Sequence, residues 1–383
     1  MGPALYNEKM KVPRTSLRYI QRFRCARHSP ARPWLPVWSR SYSSNGSSHI
    51  NLEDIRSEML GRPSQLSWDV MSPTNSSLLN IALADFIPKS CQAPAYQEGA
   101  KGIEQVDAKY KLPQGHHLVY FPLQKTASEL CHDGTDPFHS PGGPFERRMW
   151  AGGSVEFNDD FRLDSSSVVC SERIDEVTVK GLKGQKKIFV DVLREYMRKQ
   201  EFESTHLKGL PMTQGIKERR RLVFMRGVSK EQARRSLAEA AEGRGRVVKA
   251  PNTPDFSVTL KPTPTLLFHY SALTFNAHLI HLDPEFCREV EGYRNLLFHG
   301  PLSLTLMLSV LRSRLDPDEK IQKIEYRNLA PLYVNEPMRV CVRLIGDEAD
   351  PVEGKSRKWE TWVEGQDGGL CVRGAAVSLG SSG

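Results

Sequence analysis

The chain has 383 residues, and 39% of them are hydrophobic, which is enough for a folded core and excludes wholesale disorder or a collagen-like chain. Its 53 Lys and Arg residues outnumber 45 Asp and Glu residues, so the formal net charge is +8. The longest strongly apolar stretch, residues 302–311, is roughly half of a bilayer span, and the sequence therefore predicts no transmembrane helix.

The excess positive charge lies in one terminal segment. Residues 1–42 contain nine basic residues and one acidic residue, and the rest of the chain is formally neutral. This Arg-rich, Ser-rich and acid-poor composition is typical of a mitochondrial transit peptide, and Arg40 stands two residues before a cleavage site expected after Tyr42. We predict a mitochondrial matrix protein, with a disordered basic tail as the alternative. A neutral mature chain disfavours a nucleic-acid partner, because such binding depends on clustered cationic contacts.

The first half of the mature chain is predicted to contain short elements separated by long loops. A helix is expected over residues 51–60, with Asn51 as its cap. Residues 126–153 are rich in Gly, Pro, Asp and His and are expected to form a long loop, which inside a compact domain is usually functional or disordered. Short strands are expected over 155–162, 177–179, 187–196 and 221–225, with a turn at Lys183 and Gly184.

The second half follows a stretch, residues 227–264, that we interpret as a linker or insertion because a charged helical segment precedes a Pro/Thr-rich run. Residues 301–312 are apolar nearly all round, which predicts a buried helix. The remaining predicted elements are a strand over 266–270, a short helix over 284–291, and strands over 324–328, 338–344, 359–363 and 370–379. One buried helix followed by antiparallel strands indicates an α+β fold, and the first half offers a weaker version of the same order.

The most informative motifs are Tyr270-Ser271-Ala272-Leu273-Thr274-Phe275-Asn276, His281, Glu291-Gly292-Tyr293, His299-Gly300-Pro301 and the segment 141–153. These motifs resemble those of the MaoC-type hydratase/dehydratase family of hot-dog fold, in particular the fungal mitochondrial hydroxyacyl-thioester dehydratases type 2 and mesaconyl-CoA hydratase-like proteins. The resemblance implies a double hot-dog, in which two antiparallel sheets are each wrapped on a buried helix. It implies a degenerate, substrate-binding hot-dog over 43–226 and a catalytic hot-dog over 265–383.

The family adds or removes water across the α,β bond of an acyl thioester. Such an enzyme needs an acid/base group near the α-carbon and donors aimed at the thioester oxygen, where negative charge develops. The resemblance makes His281 the acid/base candidate, since an imidazole titrates near neutral pH. Asn276 occupies the position where the family usually has Asp, and His278 the position where it usually has Asn. Asn276 cannot accept a proton, so we expect it to position water or substrate.

Three further features complete the predicted site. The backbone N–H of Gly300 is expected to bind the thioester oxygen, because it opens the buried helix and the first N–H groups of a helix have no intrahelical acceptor. We expect the substrate to contact Tyr270, His278, Arg147, Arg148 and Trp150. The two Arg side chains suit a phosphate or carboxylate, with a solvated loop as the alternative. Asp283 either assists His281 or caps the short helix that starts at Pro284, and the cap is favoured.

No metal or redox cofactor is expected, because the seven cysteines include no CxxC pair and a metal site at His278, His281 and Asp283 would lack further ligands. We predict a mitochondrial hydro-lyase acting on acyl-CoA or acyl carrier protein thioesters, with no membrane partner and a possible homodimer. The leading function is (R)-3-hydroxyacyl-thioester dehydration in type II fatty-acid synthesis. The alternatives are a hydratase of a short dicarboxylyl-CoA, such as itaconyl- or mesaconyl-CoA, and a non-catalytic thioester- or RNA-associated protein. The basic clusters 218–221 and 244–249 are candidate docking sites for acyl carrier protein or CoA.

Overall fold

The computed structural model describes residues 51–158, 161–182, 185–204, 208–209, 215–242, 247–346 and 356–380. The predicted transit peptide, the turn at Lys183 and Gly184, and residues 244–246 of the second basic cluster lie outside the described residues. None of the described helices is long and apolar enough to cross a membrane.

Among the described residues, ten antiparallel strands form one sheet in the order β1-β3-β4-β5-β2-β7-β10-β9-β8-β6. The strands are β1 (Gln65–Val70), β2 (Arg147–Phe157), β3 (Ser167–Lys180), β4 (Lys187–Arg198), β5 (Ile216–Met225), β6 (Phe256–Leu260), β7 (Glu319–Asn328), β8 (Met338–Ile345), β9 (Ser356–Glu364) and β10 (Leu370–Gly380). The helices are α1 (Leu52–Leu60), α2 (Pro73–Leu83), α3 (Pro94–Gln97), α4 (Lys199–Ser204), α5 (Lys230–Ala241), α6 (Pro264–Thr274) and α7 (Gly300–Arg312). Short helical turns include His116–Val119, Pro137–His139, Leu279–His281 and Phe286–Glu291.

The sheet repeats one topology twice. Read outward from the centre, the N-terminal half runs β2-β5-β4-β3-β1 and the C-terminal half runs β7-β10-β9-β8-β6, so each strand has its counterpart five strands later. The halves are joined by the β2–β7 ladder, in which Gly153 faces Tyr326. This duplicated, antiparallel arrangement is the predicted double hot-dog.

Helix α7 fills the concave side of the C-terminal half. Every residue from Leu302 to Leu311 is buried, and the helix contacts β2, β7, β8 and β9. The sequence predicted this burial, because a helix without a polar face has no side to present to water. At the corresponding place in the N-terminal half, between β1 and β2, the chain forms α2 and the four-residue buried turn His116–Val119, so the first half has a shorter core segment.

The predicted strand over 266–270 is wrong, because these residues belong to α6. The side chain of Thr263 caps this helix by accepting a hydrogen bond from Leu266 N at 3.2 Å, and Pro264 occupies the first turn. A Thr cap followed by Pro is a helix-start signal. This helix-start signal outweighed the apolar run of residues 266–270, which had suggested a strand.

The predicted loop over 126–153 ends earlier than expected, at the start of β2. Residues 147–153 belong to a strand despite two glycines, because the segment pairs with β5 and because Gly152 and Gly153 also pair with β7. Strand β6 lies within the stretch interpreted as a linker, where the Pro and Thr residues around it obscure a five-residue strand that pairs with β8. The C-terminal half of the sheet thus begins before residue 265.

Candidate active site

Segments from both halves of the chain line a cavity of about 390 Å³. Helix α6 is followed by Phe275, whose left-handed backbone (φ 51°) turns the chain into the segment that carries the predicted motif. That segment forms one wall, the N-terminus of α7 forms a second, and strands β2, β4 and β5 contribute side chains such as Trp150, Lys187 and Leu222. The predicted residues that line this cavity are Asn276, His278, His281, Gly300, Arg148 and Trp150.

His281 is held in one tautomer by a backbone carbonyl. Its Nδ1 lies 2.8 Å from the carbonyl oxygen of Leu297. Since a carbonyl can only accept, Nδ1 carries the proton, and the neutral ring keeps a lone pair on Nε2. Burial lowers the pKa of His281 to about 4, against the opposing effect of the hydrogen bond to Leu297, and nearby Arg148 lowers it further. His281 is therefore neutral at physiological pH and able to accept a proton.

Two more histidines surround His281. The rings of His281 and His299 are stacked with centroids 3.7 Å apart, and His278 meets His281 edge to face at 5.6 Å. His299 Nε2 lies 2.9 Å from the hydroxyl of Ser271 on α6. Burial lowers the pKa of both His278 and His299 well below the ordinary value, and the neighbouring histidines add to the effect. The cluster is thus neutral, which avoids repulsion between adjacent imidazolium rings.

Asn276 serves both the turn and the cavity. Its Oδ1 accepts a hydrogen bond from His278 N at 3.1 Å, so the side chain stabilises the turn that leads to His278. The same side chain lines the cavity, where its amide nitrogen can only donate. Asn276 is therefore suited to binding an oxygen atom and not to accepting a proton.

Gly300 allows the start of α7 to pack tightly against β2. A Cβ atom at this position would lie 2.9 Å from Cβ and Cγ of Trp150 and 3.0 Å from Nδ2 of Asn328. Trp150 is fixed in turn, since its Nε1–H donates to the hydroxyl of Tyr326 at 2.8 Å. The N–H of Gly300 belongs to the first turn of α7 and has no intrahelical acceptor, so it can donate into the cavity that Gly300 lines.

The two adjacent arginines have different surroundings. Arg147 forms an ion pair with Glu291 at 2.8 Å and donates a hydrogen bond to the backbone carbonyl of Glu291. It does not line the cavity that contains His281. Arg148 lines the cavity, and among the described residues its buried Nη1 has no hydrogen-bond partner. Burial lowers the pKa of Arg148, while Asp133 and Asp136 oppose this. Arg148 is the arginine available to a ligand.

A second cavity, of about 280 Å³, adjoins the first and shares Arg148, Trp150 and Asn276 with it. Tyr270, which we expected at the substrate, lines this second cavity. Its lining includes the buried polar and charged side chains of Asp136, His139, Glu172 and Arg194, together with the partly buried Arg220. A possible metal site is formed by Asp136, His139 and Glu172, whose potential ligand atoms lie within 4.8 Å of one another. The carboxylate of Glu172 is already paired, with His139 at 2.9 Å and with Arg194 at 3.0 Å.

Asp283 takes the capping role. Its Oδ1 accepts hydrogen bonds from Glu285 N at 2.8 Å and Phe286 N at 3.0 Å, and it does not line the cavity beside His281. With His281 Nδ1 bound to a backbone carbonyl and Asp283 bound to backbone N–H groups, the three residues do not assemble the metal site considered above.

The comparison with known protein families agrees with this geometry. The family model described as hydroxyacyl-thioester dehydratase type 2 matches residues 115–334. The chain belongs to this family. As a hydroxyacyl-thioester dehydratase type 2 family member it is an enzyme of the hydratase/dehydratase class that acts on acyl thioesters, as the sequence predicted.

Two relatives agree with this family assignment, and one solved structure agrees with the fold. The mitochondrial hydroxyacyl-thioester dehydratase type 2 of Schizosaccharomyces pombe is 29% identical over 300 residues, which are 73% of this chain and 90% of that protein. The mesaconyl-C(4)-CoA hydratase of Chloroflexus aurantiacus is 28% identical over 266 residues, 69% of this chain and 85% of that protein. A crystal structure of a MaoC-like dehydratase from Phytophthora capsici superposes with a TM-score of 0.55 at 14% identity, covering 87% of this chain and 98% of that one.

The sequence reasoning missed one charged residue of the site and left two others without a role. Asp133 lies in the long Gly- and Pro-rich loop and reaches His278 from the N-terminal half, with Oδ2 3.5 Å from Nε2. Ser271 and His299 belong to the matched motifs, yet only the structure shows that they bond to each other beside His281. The available signal for Asp133 was the unusual length and composition of its loop.

Proposed function

We propose that this family member dehydrates (R)-3-hydroxyacyl thioesters reversibly, with His281 as the acid/base group. The observation that carries the proposal is the hydrogen bond from His281 Nδ1 to Leu297, which leaves the lone pair on Nε2, in a cavity that Gly300 at the start of α7 also lines. A neutral base and a helix N-terminus are the two groups that removal of a proton next to a thioester requires.

In the dehydration direction, Nε2 of His281 takes the proton from the α-carbon. The electron pair moves to the thioester oxygen, where the N–H of Gly300 and the positive end of α7 stabilise the negative charge. The C–O bond at the β-carbon then breaks, and the hydroxyl leaves as water by taking the proton from the His281 imidazolium. The lowered pKa of His281 favours release of this proton to the departing hydroxyl. Asn276 and His278 hold the departing oxygen.

The side chains that line the cavity suggest how the CoA or acyl carrier protein part of the substrate binds. Lys187 lines the cavity and is suited to the phosphates of CoA or of an acyl carrier protein arm. The neighbouring Arg219, Arg220 and Arg221 are ion-paired with acidic residues, so they are weaker candidates for docking a carrier protein.

The basic N-terminal segment and the mitochondrial fungal relatives support a mitochondrial location, with the matrix as its compartment and type II fatty-acid synthesis as its role. A homodimer remains a prediction for size-exclusion chromatography.

A short dicarboxylyl-CoA, such as mesaconyl- or itaconyl-CoA, is the second candidate substrate. The second cavity favours it, because ionised side chains line that cavity and Arg148 offers a buried N–H without a partner among the described residues. A long alkyl chain placed there would remove water from those charged groups without replacing its hydrogen bonds. A carboxylate would instead accept from Arg148.

The deciding experiment is a substrate panel with the mature protein starting at Ser43. Crotonyl-, dec-2-enoyl-, mesaconyl- and itaconyl-CoA are followed by the loss of the enoyl-thioester ultraviolet band. Turnover of crotonyl- and decenoyl-CoA supports the leading proposal, and preference for the dicarboxylyl esters supports the second. In the second case, Arg148→Met should reduce turnover of dicarboxylyl esters far more than that of crotonyl-CoA. If no ester is hydrated, both proposals fail.

A further inference from the structure

We propose that Asp133 is a positioning residue of the reaction, because it fixes the ring of His278 from the opposite half of the molecule. This inference rests on the proposed hydro-lyase function. In this chain Asn276 stands at the motif position where the family usually has Asp, so this position offers no carboxylate. Asp133 supplies a carboxylate beside the ring of His278, which in turn contacts the ring of His281.

The contacts of Asp133 leave one carboxylate oxygen for His278. The side chain is buried, and its Oδ1 accepts from Thr135 N at 3.0 Å and from the Thr135 hydroxyl at 2.7 Å. Its other oxygen, Oδ2, lies 3.5 Å from His278 Nε2, and both side chains are only 5% exposed. This separation is longer than a closed hydrogen bond, and catalytic hydrogen bonds commonly shorten when substrate binds.

The backbone also brings the two segments together. The carbonyl of Asp133 accepts a hydrogen bond from Leu279 N at 2.9 Å, one residue after His278. Gly134 has a positive φ of 81°, and a Cβ there would lie 2.0 Å from the carbonyl oxygen of Ala277. Only glycine fits so close to the segment that carries His278. The loop is therefore built to approach this segment at residue 133.

This arrangement selects a tautomer of His278. A carboxylate can only accept, so Asp133 favours the neutral ring with its proton on Nε2 and leaves Nδ1 as an acceptor. The other charged or titratable groups near His278 are His281, Arg148 and His132, each of which disfavours a second proton on the ring. A neutral His278 of fixed tautomer can hold the water or the leaving hydroxyl while His281 transfers the proton.

The test is a double-mutant cycle on hydration of the best substrate from the panel. Asp133→Asn keeps the size of the side chain but allows an N–H to face His278, which favours the wrong tautomer. We expect kcat to fall at least about 10-fold with KM changed less than about threefold. In a His278→Gln background, Asp133→Asn should have no further effect, because the group through which it acts is gone. Effects that multiply would overturn the proposal, as would an Asp133→Asn variant of normal kcat.

Asp164→Asn is the matched control. Asp164 Oδ1 accepts from Ser166 N at 2.9 Å, the same two-residue turn that Asp133 makes with Thr135, but it lies outside both cavities. The Asp164→Asn variant should have the same kcat as the unaltered enzyme. If Asp133→Asn does not fold, ¹⁵N spectra of the unaltered protein, with His278→Gln for assignment, decide the matter. Protonation of His278 at Nδ1 would overturn the proposal. Failure of the unaltered enzyme on every thioester would instead refute the proposed function.

Discussion

The buried histidine at the centre of the site makes the stability of the protein depend on pH. The pKa of His281 is lowered from its ordinary value of 6.5 to about 4, chiefly because burial disfavours the charged ring. Between these two values the unfolded chain binds more protons than the folded chain. Stability is therefore fully present above pH 6.5 and is lost as the pH falls, down to the folded-state pKa.

The size of the loss follows from the shift. Each unit of pKa shift corresponds to about 1.4 kcal/mol, so the limiting contribution of His281 is about 3 kcal/mol. Between pH 7.5 and pH 5.0, the part that is lost is about 2 kcal/mol, since the unfolded ring is then almost fully protonated and the folded ring is not. His278 and His299 act in the same direction, because their pKa values are also lowered by burial.

The measurement compares urea unfolding at pH 7.5 and pH 5.0 for the mature protein and for His281→Asn. Asn can still donate to the carbonyl of Leu297, so the variant removes the titration while keeping that hydrogen bond. The unaltered protein should lose about 2 kcal/mol more of its unfolding free energy than the variant does. An equal loss in both proteins would refute the reasoning, because it would mean that His281 is not kept neutral by burial.

Two further variants test the walls of the site. Gly300→Ala should lower the unfolding free energy by about 1–3 kcal/mol and reduce kcat more than it changes KM, since a methyl group 2.9 Å from Trp150 displaces the start of α7; a variant with normal kcat would exclude this helix end from the reaction. Arg147→Met should lower the free energy of unfolding by about 3 kcal/mol, because the buried carboxylate of Glu291 loses its partner; an unchanged urea unfolding curve would show that this ion pair does not stabilise the fold.

The elements that were predicted correctly carry their signals locally. Asn51 caps α1 through a hydrogen bond from Glu53 N at 3.1 Å, as its position before an acidic first turn indicated. The uninterrupted apolar pattern of α7 predicted complete burial. In contrast, α6 was mistaken for a strand because its cap, Thr263-Pro264, lies outside the apolar run that was considered. Short apolar segments of this kind do not distinguish helix from strand by periodicity.

The resemblance to a known family supplied site residues that are distant in sequence, such as Gly300, Arg148 and Trp150, whereas spacing alone connects only residues that are close in the chain. His278 and His281 share one short segment, and the resemblance to a known family identified both. The carbonyl of Leu297 and the carboxylate of Asp133 come from other segments, and no spacing rule connects them with the histidines. Tertiary contacts also distinguish Arg147 from Arg148, because Glu291 forms an ion pair with Arg147 and Arg148 lines the cavity.

The central claim is that His281 transfers the proton in a hydratase/dehydratase reaction on acyl thioesters. The most direct test is kcat for crotonyl-CoA hydration by the mature protein and by His281→Ala and His281→Asn variants whose circular dichroism and unfolding at pH 7.5 show an intact fold. We predict that both variants lose at least about 100-fold in kcat, the low end for removal of a general acid/base. A correctly folded variant that retains the activity of the unaltered enzyme would contradict the assignment and place the base elsewhere in the cavity.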